Sequence, residues 1–173
     1  GLLYEPVHVA TKEGRPYQVF TPFWKSLLAR AEPAEPVPGP RKLRAAEPVK
    51  QTAASLTVDS LDLLPTIDWS ATMATTWEPG EAGARQRLAA FLDRGLTDYG
   101  SERDRPDHDG TSSLSPHLHF GEISPRRVWH AVRERAGGKP AAKLSGSPEV
   151  FLRELGWREF ASHLLYHFPH TTD

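Results

Sequence analysis

Four hydroxyl side chains, Thr111, Ser112, Ser113 and Ser115, fall within five positions of one another, opened by Gly110 and closed by Pro116. A loop of this kind can converge hydroxyls and backbone N–H groups on an anion, and a phosphate is the obvious candidate. The run Gly110-Thr111-Ser112-Ser113-Leu114-Ser115-Pro116 lacks the Lys-Ser/Thr ending of a mononucleotide P-loop and the glycine spacing of a dinucleotide-binding turn. A serine-rich turn that caps a helix is the plainer alternative. A second cluster lies downstream. At about 100° per residue, Phe151, Glu154, Trp157, Arg158, Ala161 and Leu165 share one side of a helix, while Leu152, Leu155 and Gly156 point elsewhere and can pack. Two aromatics, a carboxyl and a guanidinium are costly to bury unless the charges pair, and Trp157 is wasted in water. A ligand pocket resolves the conflict: the aromatics stack on a flat heterocycle, Glu154 exchanges hydrogen bonds and Arg158 holds an anion. The alternative is an ordinary amphipathic helix with an i,i+4 Glu154–Arg158 pair.

Histidines raise the question of a metal, because His163, His167 and His170 fall at helical spacing and His117 and His119 alternate. The glutamate of a zinc-protease helix is missing between them, so they read as surface or satisfied interior residues, and no metal is expected.

These side chains need elements to position them. Val7-His8-Val9 and Tyr17-Gln18-Val19-Phe20 are β-prone runs around the turn-like Lys12-Glu13-Gly14-Arg15-Pro16, and predict a terminal hairpin or sheet edge. Thr21 and Pro22 then read as the cap and first residue of a helix carrying Trp24, Leu27 and Leu28. Such a segment cannot enclose a core alone and calls for a partner sheet. From Glu32 to Lys50, Pro33, Pro36, Pro38, Pro40 and Pro48 mark an extended linker. Leu56 to Pro79, with Leu61, Leu63, Leu64, Ile67 and Trp69 between prolines, predicts irregular chain. From Gly83 onward Leu88, Phe91, Leu92, Leu96 and Tyr99 recur at helical intervals. Ser124-Pro125 opens a helix with Val128, Trp129 and Val132 that Gly137-Gly138 ends, and Ser147-Pro148-Glu149 opens another running to about His167, before Pro169. The domain reading is therefore 1–31, a linker over 32–82, and a helical part over 83–173.

The 173 residues suit one domain or parts of two. A mean hydropathy of -0.51 and the lack of a long apolar run predict no membrane span. Zero cysteines exclude disulfides and thiolate chemistry, and a cytoplasmic location is the default expectation. A formal charge of -1 excludes nucleic-acid binding through bulk positive charge while leaving room for a local basic patch. No initiator Met and no basic signal region stand at Gly1, and the chain stops soon after a strongly patterned segment, so it reads as a piece of a longer protein.

Tyr99, Arg103, the Gly110-to-Pro116 loop with Leu118, Phe120-Gly121 and Ile123-Ser124-Pro125-Arg126, and Phe151-Leu152-Arg153-Glu154-Leu155-Gly156-Trp157-Arg158-Glu159-Phe160 together resemble the DNA photolyase/cryptochrome family, and its class I cyclobutane pyrimidine dimer photolyases in particular. Tyr17-Gln18-Val19-Phe20-Thr21-Pro22-Phe23-Trp24 resembles the end of that family's antenna domain. The resemblance implies a mainly α fold: the first half of the all-helical FAD-binding domain, preceded by the tail of an α/β Rossmann-like antenna domain and a Pro-rich linker. It implies that Thr111, Ser112, Ser113, Leu114 and Ser115 cradle the FAD phosphates, that Tyr99 lines the cofactor, and that Phe151 takes a flavin-side position often held by Trp. Glu154 matches the acid that hydrogen-bonds the flipped dimer, Trp157 the aromatic that stacks on it, Arg158 a cofactor-side or DNA-side cation, and Arg103 a DNA contact. The implied partner is UV-damaged DNA, with no membrane and no obligate protein partner. A second, folate- or deazaflavin-type antenna chromophore is implied for a full-length parent. A cryptochrome-type photoreceptor and a (6-4) photolyase are the alternatives within the family, and a plain helical interaction module is the alternative outside it. The second half of the helical domain is not matched, which implies that this stretch alone neither holds FAD tightly nor repairs DNA.

Overall fold

The computed structural model describes residues 1–42, 56–63 and 66–172; Pro48, Lys50 and Leu64 of the sequence reading lie outside them. The chain divides into two compact units, one formed by residues 1–36 and 79 onward, the other by residues 37–78. The described part of the smaller unit has a 3₁₀ turn, Asp59–Leu61, and one short helix. Leu56, Val58, Leu61, Leu63, Ile67, Trp69 and Met73 are all exposed there, so these described residues make no core.

We number the helices α1 (Phe20–Leu28), α2 (Ala71–Thr76, in the smaller unit), α3 (Glu81–Ala90), α4 (Tyr99–Glu102), α5 (Ser115–His119), α6 (Pro125–Arg135) and α7 (Ser147–His167). The larger unit is built around α7, which contacts α1, α4, α6 and the N-terminal 3₁₀ turn Pro6–His8. Its buried residues, Phe151, Leu152, Leu155, Gly156, Glu159, Phe160 and His163, fall at alternating intervals of one and three, the spacing of a helix stripe. Phe151 therefore belongs to the core side, at the edge of the arc that carries Glu154, Trp157 and Arg158. Gly156 allows a close approach of α1: a Cβ there would lie 2.6 Å from the Trp24 ring carbons. Trp24 in turn meets Trp129 of α6 edge to face, with ring centroids 6.1 Å apart.

The predicted hairpin is absent: among the described residues there is no strand. A strand requires a ladder partner for its backbone groups; here the His8 and Val9 N–H groups donate to the Glu5 and Pro6 carbonyls in a 3₁₀ turn, and α7 side chains take two other N–H groups of the segment. Leu3 N–H donates to the Glu159 carboxylate at 2.8 Å, and Tyr17 N–H donates to His163 Nε2 at 3.1 Å. The N-terminal segment thus packs on helices of its own chain, where the sequence called for a sheet. Helix α1 begins at Phe20 with Val19 at the cap position, not at Thr21; Pro22 still falls in the first turn, where its missing N–H costs nothing.

The apolar spacing from Leu88 to Tyr99 is correct in burial but not in period. A π-helical segment, Phe91–Gly95, closes with Leu96 N–H on the Phe91 carbonyl at 2.8 Å and separates α3 from α4. The start of α6 is as predicted: Ser124 Oγ accepts from Arg127 N–H at 3.1 Å, and Gly137 and Gly138 follow its end with positive φ. In α7 the cap position is Gly146, and Ser147 is already helical, with its hydroxyl turned toward the chain before α4.

Glu32, where the linker was expected to begin, is held tightly. Its carboxylate accepts from Trp129 Nε1–H at 2.7 Å and from Ala141 N–H at 3.0 Å.

Candidate functional site

Two sequence segments far apart in the chain meet where α4 lies on α7. Tyr99 opens α4 and is buried; its ring stands edge to face with Phe151 at 5.1 Å and with Phe91 of the π segment at 5.7 Å. Phe91 and Phe151 are themselves 4.6 Å apart, so the three rings form one cluster. Burial pushes the Tyr99 phenol above its ordinary value of 10.0. Arg103, just past α4, lies over the Tyr99 ring at 5.6 Å and sets its Nη1 2.5 Å from Glu154 Oε1 on α7. The hydrogen bond to Glu154 holds the Arg103 guanidinium well above the ordinary arginine range, so it remains charged.

The i,i+4 Glu154–Arg158 pair is therefore not formed; each has a different partner. Arg158 directs Nη1 to Glu159 Oε1 at 3.2 Å. Glu159 is only 4% exposed, and burial raises its carboxyl from 4.5 to about 7, although the Leu3 and Tyr4 N–H groups and Arg158 pull it down. Glu159 was not singled out by sequence. The available signal was its position: a charged residue on the buried stripe, four residues after Leu155.

Trp157 lies one turn beyond Glu154. One face of the indole stacks on Phe20, with centroids 3.7 Å apart and planes 10° from parallel, while 47% of the residue remains exposed. A tryptophan fixed on one side and open on the other is a preformed platform for a second flat ring. Phe20, which supports it, was read as strand and so was not expected here.

The Gly110–Pro116 loop reaches this assembly through α4. A Cβ on Gly110 would lie 2.4 Å from the Glu102 carbonyl oxygen, so only glycine permits this approach. Ser113 adopts φ +50°, and Leu114 N–H donates to Ser112 Oγ at 3.4 Å, turning the chain tightly before α5. Thr111 and Ser115 are exposed, Ser112 and Ser113 half-buried, and Leu114 is a core residue at 1% exposure. Thus the loop presents hydroxyls to solvent and anchors itself by Leu114. A hollow of about 480 Å³ beside Gly110 is lined by Asp98, Glu102 and Asp109 together with Arg94 and His108.

Among the described residues no group of three or more His, Cys, Asp or Glu is arranged to hold a metal, and no helix is long and apolar enough to cross a membrane. His117 is buried with Nδ1 2.6 Å from Glu122, and His163 is buried beneath Tyr17.

The chain matches no family model. It is 43% identical to a deoxyribodipyrimidine photo-lyase of Agrobacterium fabrum over 169 residues, covering 97% of this chain and 34% of the relative. It is 32% identical to cryptochrome-1 of Arabidopsis thaliana, covering 98% of this chain and 25% of that one. The crystal structure of a bacterial class III photolyase from Agrobacterium tumefaciens superposes with a TM-score of 0.84 at 41% identity, over 97% of this chain and 34% of the other. The chain thus spans a quarter to about a third of the length of these relatives. The likeness drawn from sequence to class I is a family-level one, since the matched structure is described as class III.

Proposed function

We propose, for a chain that belongs to the DNA photolyase/cryptochrome family, that it is part of a light-driven, FAD-dependent enzyme that splits cyclobutane pyrimidine dimers in DNA. In this reading residues 83–173 form the first part of the helical FAD-binding domain. Residues 1–31 end an antenna domain, and 32–82 link the two. A cytoplasmic location and a second antenna chromophore in the full-length protein belong to the same reading.

The observation that carries it is the meeting of α4 and α7, which brings Tyr99, Arg103, Phe151 and Glu154 together beside the half-open Trp157. The residues present fit a flavin dinucleotide. The Gly110 approach and the Ser113 turn shape a loop whose hydroxyls, exposed at Thr111 and Ser115 and half-buried at Ser112 and Ser113, suit a diphosphate, and an aromatic cluster lies on the adjoining helices. Thr111, Ser112, Ser113 and Ser115 would hold the phosphates through hydroxyl and N–H groups, with Leu114 anchoring the loop, and Tyr99 and Phe151 would line the cofactor. Reduced flavin, when bound, would supply the light-driven one-electron chemistry needed to open the cyclobutane ring.

The protein groups do the rest. A dimer must leave the duplex to reach this site, and a damaged pair costs least to open. Trp157 offers its free face to the extruded bases. Glu154, held by Arg103, accepts hydrogen bonds from their polar edges, and the positive charge of Arg103 offsets the negative charge that develops on the dimer. Arg103 also contacts Asp104, whose side chain is 82% exposed; a DNA phosphate would displace that weak partner more readily than Glu154. Arg158, kept in place by Glu159, supplies a further cation toward cofactor or DNA.

The test uses the full-length protein containing this chain, reduced and illuminated with irradiated DNA. Loss of dimers supports the proposal. Flavin photoreduction with dimers left intact favours a cryptochrome-type photoreceptor, the reading that the cryptochrome-1 similarity keeps open; removal of (6-4) lesions alone favours the (6-4) enzyme.

A further inference from the structure

Ser147 opens α7 without capping it. Its hydroxyl donates to the Thr97 carbonyl at 2.7 Å and accepts from the Gly100 N–H at 3.1 Å. Gly100 stands in the first turn of α4, where no carbonyl of its own helix can take that N–H. One hydroxyl thus satisfies a donor and an acceptor at the junction between the π segment and α4. Gly100 fits the contact closely: a Cβ there would lie 3.3 Å from Ser147 Oγ.

Three successive contacts along α7 engage α4 and the residue that follows it. Ser147 meets Gly100, Phe151 one turn later meets Tyr99, and Glu154 one turn beyond that meets Arg103. The pin stands at one end of this interface and the ion pair at the other. An exposed ion pair gains little unless its partners are held in place, because ordering two long side chains costs entropy. Both members are partly exposed here, at 26% and 33% of the side chain, so the pair depends on the register of α4 against α7.

We propose that Ser147 is a positioning residue: its bridge from Thr97 to Gly100 sets the register of α4 on α7 and so holds Arg103 on Glu154. This rests on the reading of Arg103 and Glu154 as the lesion-facing pair, but its test does not.

The test is a double-mutant cycle, Arg103→Ala and Glu154→Ala, read from the unfolding equilibrium of this chain without flavin or DNA. In the otherwise unaltered chain the pair is expected to change the folding constant by about threefold. With Ser147→Ala the coupling falls to about onefold, and with Ser147→Thr, which keeps the hydroxyl, it returns. A merely structural serine would lower stability and leave the coupling untouched, and that result overturns the proposal. So does a chain that has no coupling to begin with. Should Ser147→Ala fail to fold, Gly100→Ala is the second variant: it keeps the hydroxyl, crowds the bridge, and is expected to weaken the coupling by itself. Undiminished coupling in Gly100→Ala would then count against the proposal. Failure of flavin binding or repair in the full-length protein would leave these measurements standing, so the two readings fail separately.

Discussion

Replacing Glu159 by Gln tests the electrostatics of the buried face of α7. Burial raises the native carboxyl from 4.5 to about 7. Between those values the native state binds more protons than the unfolded chain. This group's contribution is therefore fully present below about pH 4.5 and is lost as pH rises through about 7. At about 1.4 kcal/mol per pH unit, the displacement amounts to about 3 kcal/mol. His163 acts in the opposite sense: burial holds its imidazole below the ordinary 6.5, so its contribution is present above 6.5 and is lost as pH falls from there through its lowered folded value. The raw stability profile mixes the two, and the difference between the unaltered chain and Glu159→Gln isolates the carboxyl. Glutamine still offers an oxygen to Leu3 N–H, so the N-terminal segment keeps an acceptor. Urea unfolding followed by tryptophan fluorescence, from about pH 4.5 to about pH 8, should show the variant gaining about 3 kcal/mol on the original chain as pH rises. A difference that stays flat across this window would refute the argument.

Three further substitutions follow from the packing. Gly156→Ala places a Cβ 2.6 Å from the Trp24 ring, and overpacking at the α1–α7 contact should outweigh alanine's better helix propensity, a net loss of about 1–2 kcal/mol by chemical denaturation. Gly110→Ala drives a Cβ to 2.4 Å from the Glu102 carbonyl, where no side chain can yield; the loop must shift, and the full-length protein should purify with substoichiometric flavin. Glu32→Ala strips the partners from the Trp129 indole N–H and the Ala141 N–H, and is expected to cost about 2 kcal/mol in the same denaturation assay.

The helices and most of their packing were legible because their signals are local. Ser124-Pro125 caps α6, and the spacing of Leu88, Phe91, Leu96 and Tyr99 marks what is buried. The failures came where a distant residue decided the outcome. Val7 to Val9 and Tyr17 to Phe20 have strand-like side chains, but the His8 and Val9 N–H groups close a 3₁₀ turn and the Tyr17 N–H goes to His163 of α7, and whether a partner strand exists is not a local property. Ser147 carries a cap residue's chemistry, yet its hydroxyl serves the start of α4 instead. For the site, Glu154, Trp157 and Arg103 could be named from their motifs. The Arg103–Glu154 pairing could not, because the plainer i,i+4 partner, Arg158, was drawn away by Glu159.

The central claim is that Glu154 and Trp157 face a pyrimidine dimer. Its most direct measurement is light-driven dimer reversal by the full-length protein and by its Glu154→Ala and Trp157→Ala variants, each first assayed for bound flavin. The account predicts that both variants retain flavin and lose most of the reversal rate, Trp157→Ala chiefly through weaker binding of damaged DNA. Undiminished reversal in both variants, at equal flavin content, would contradict it.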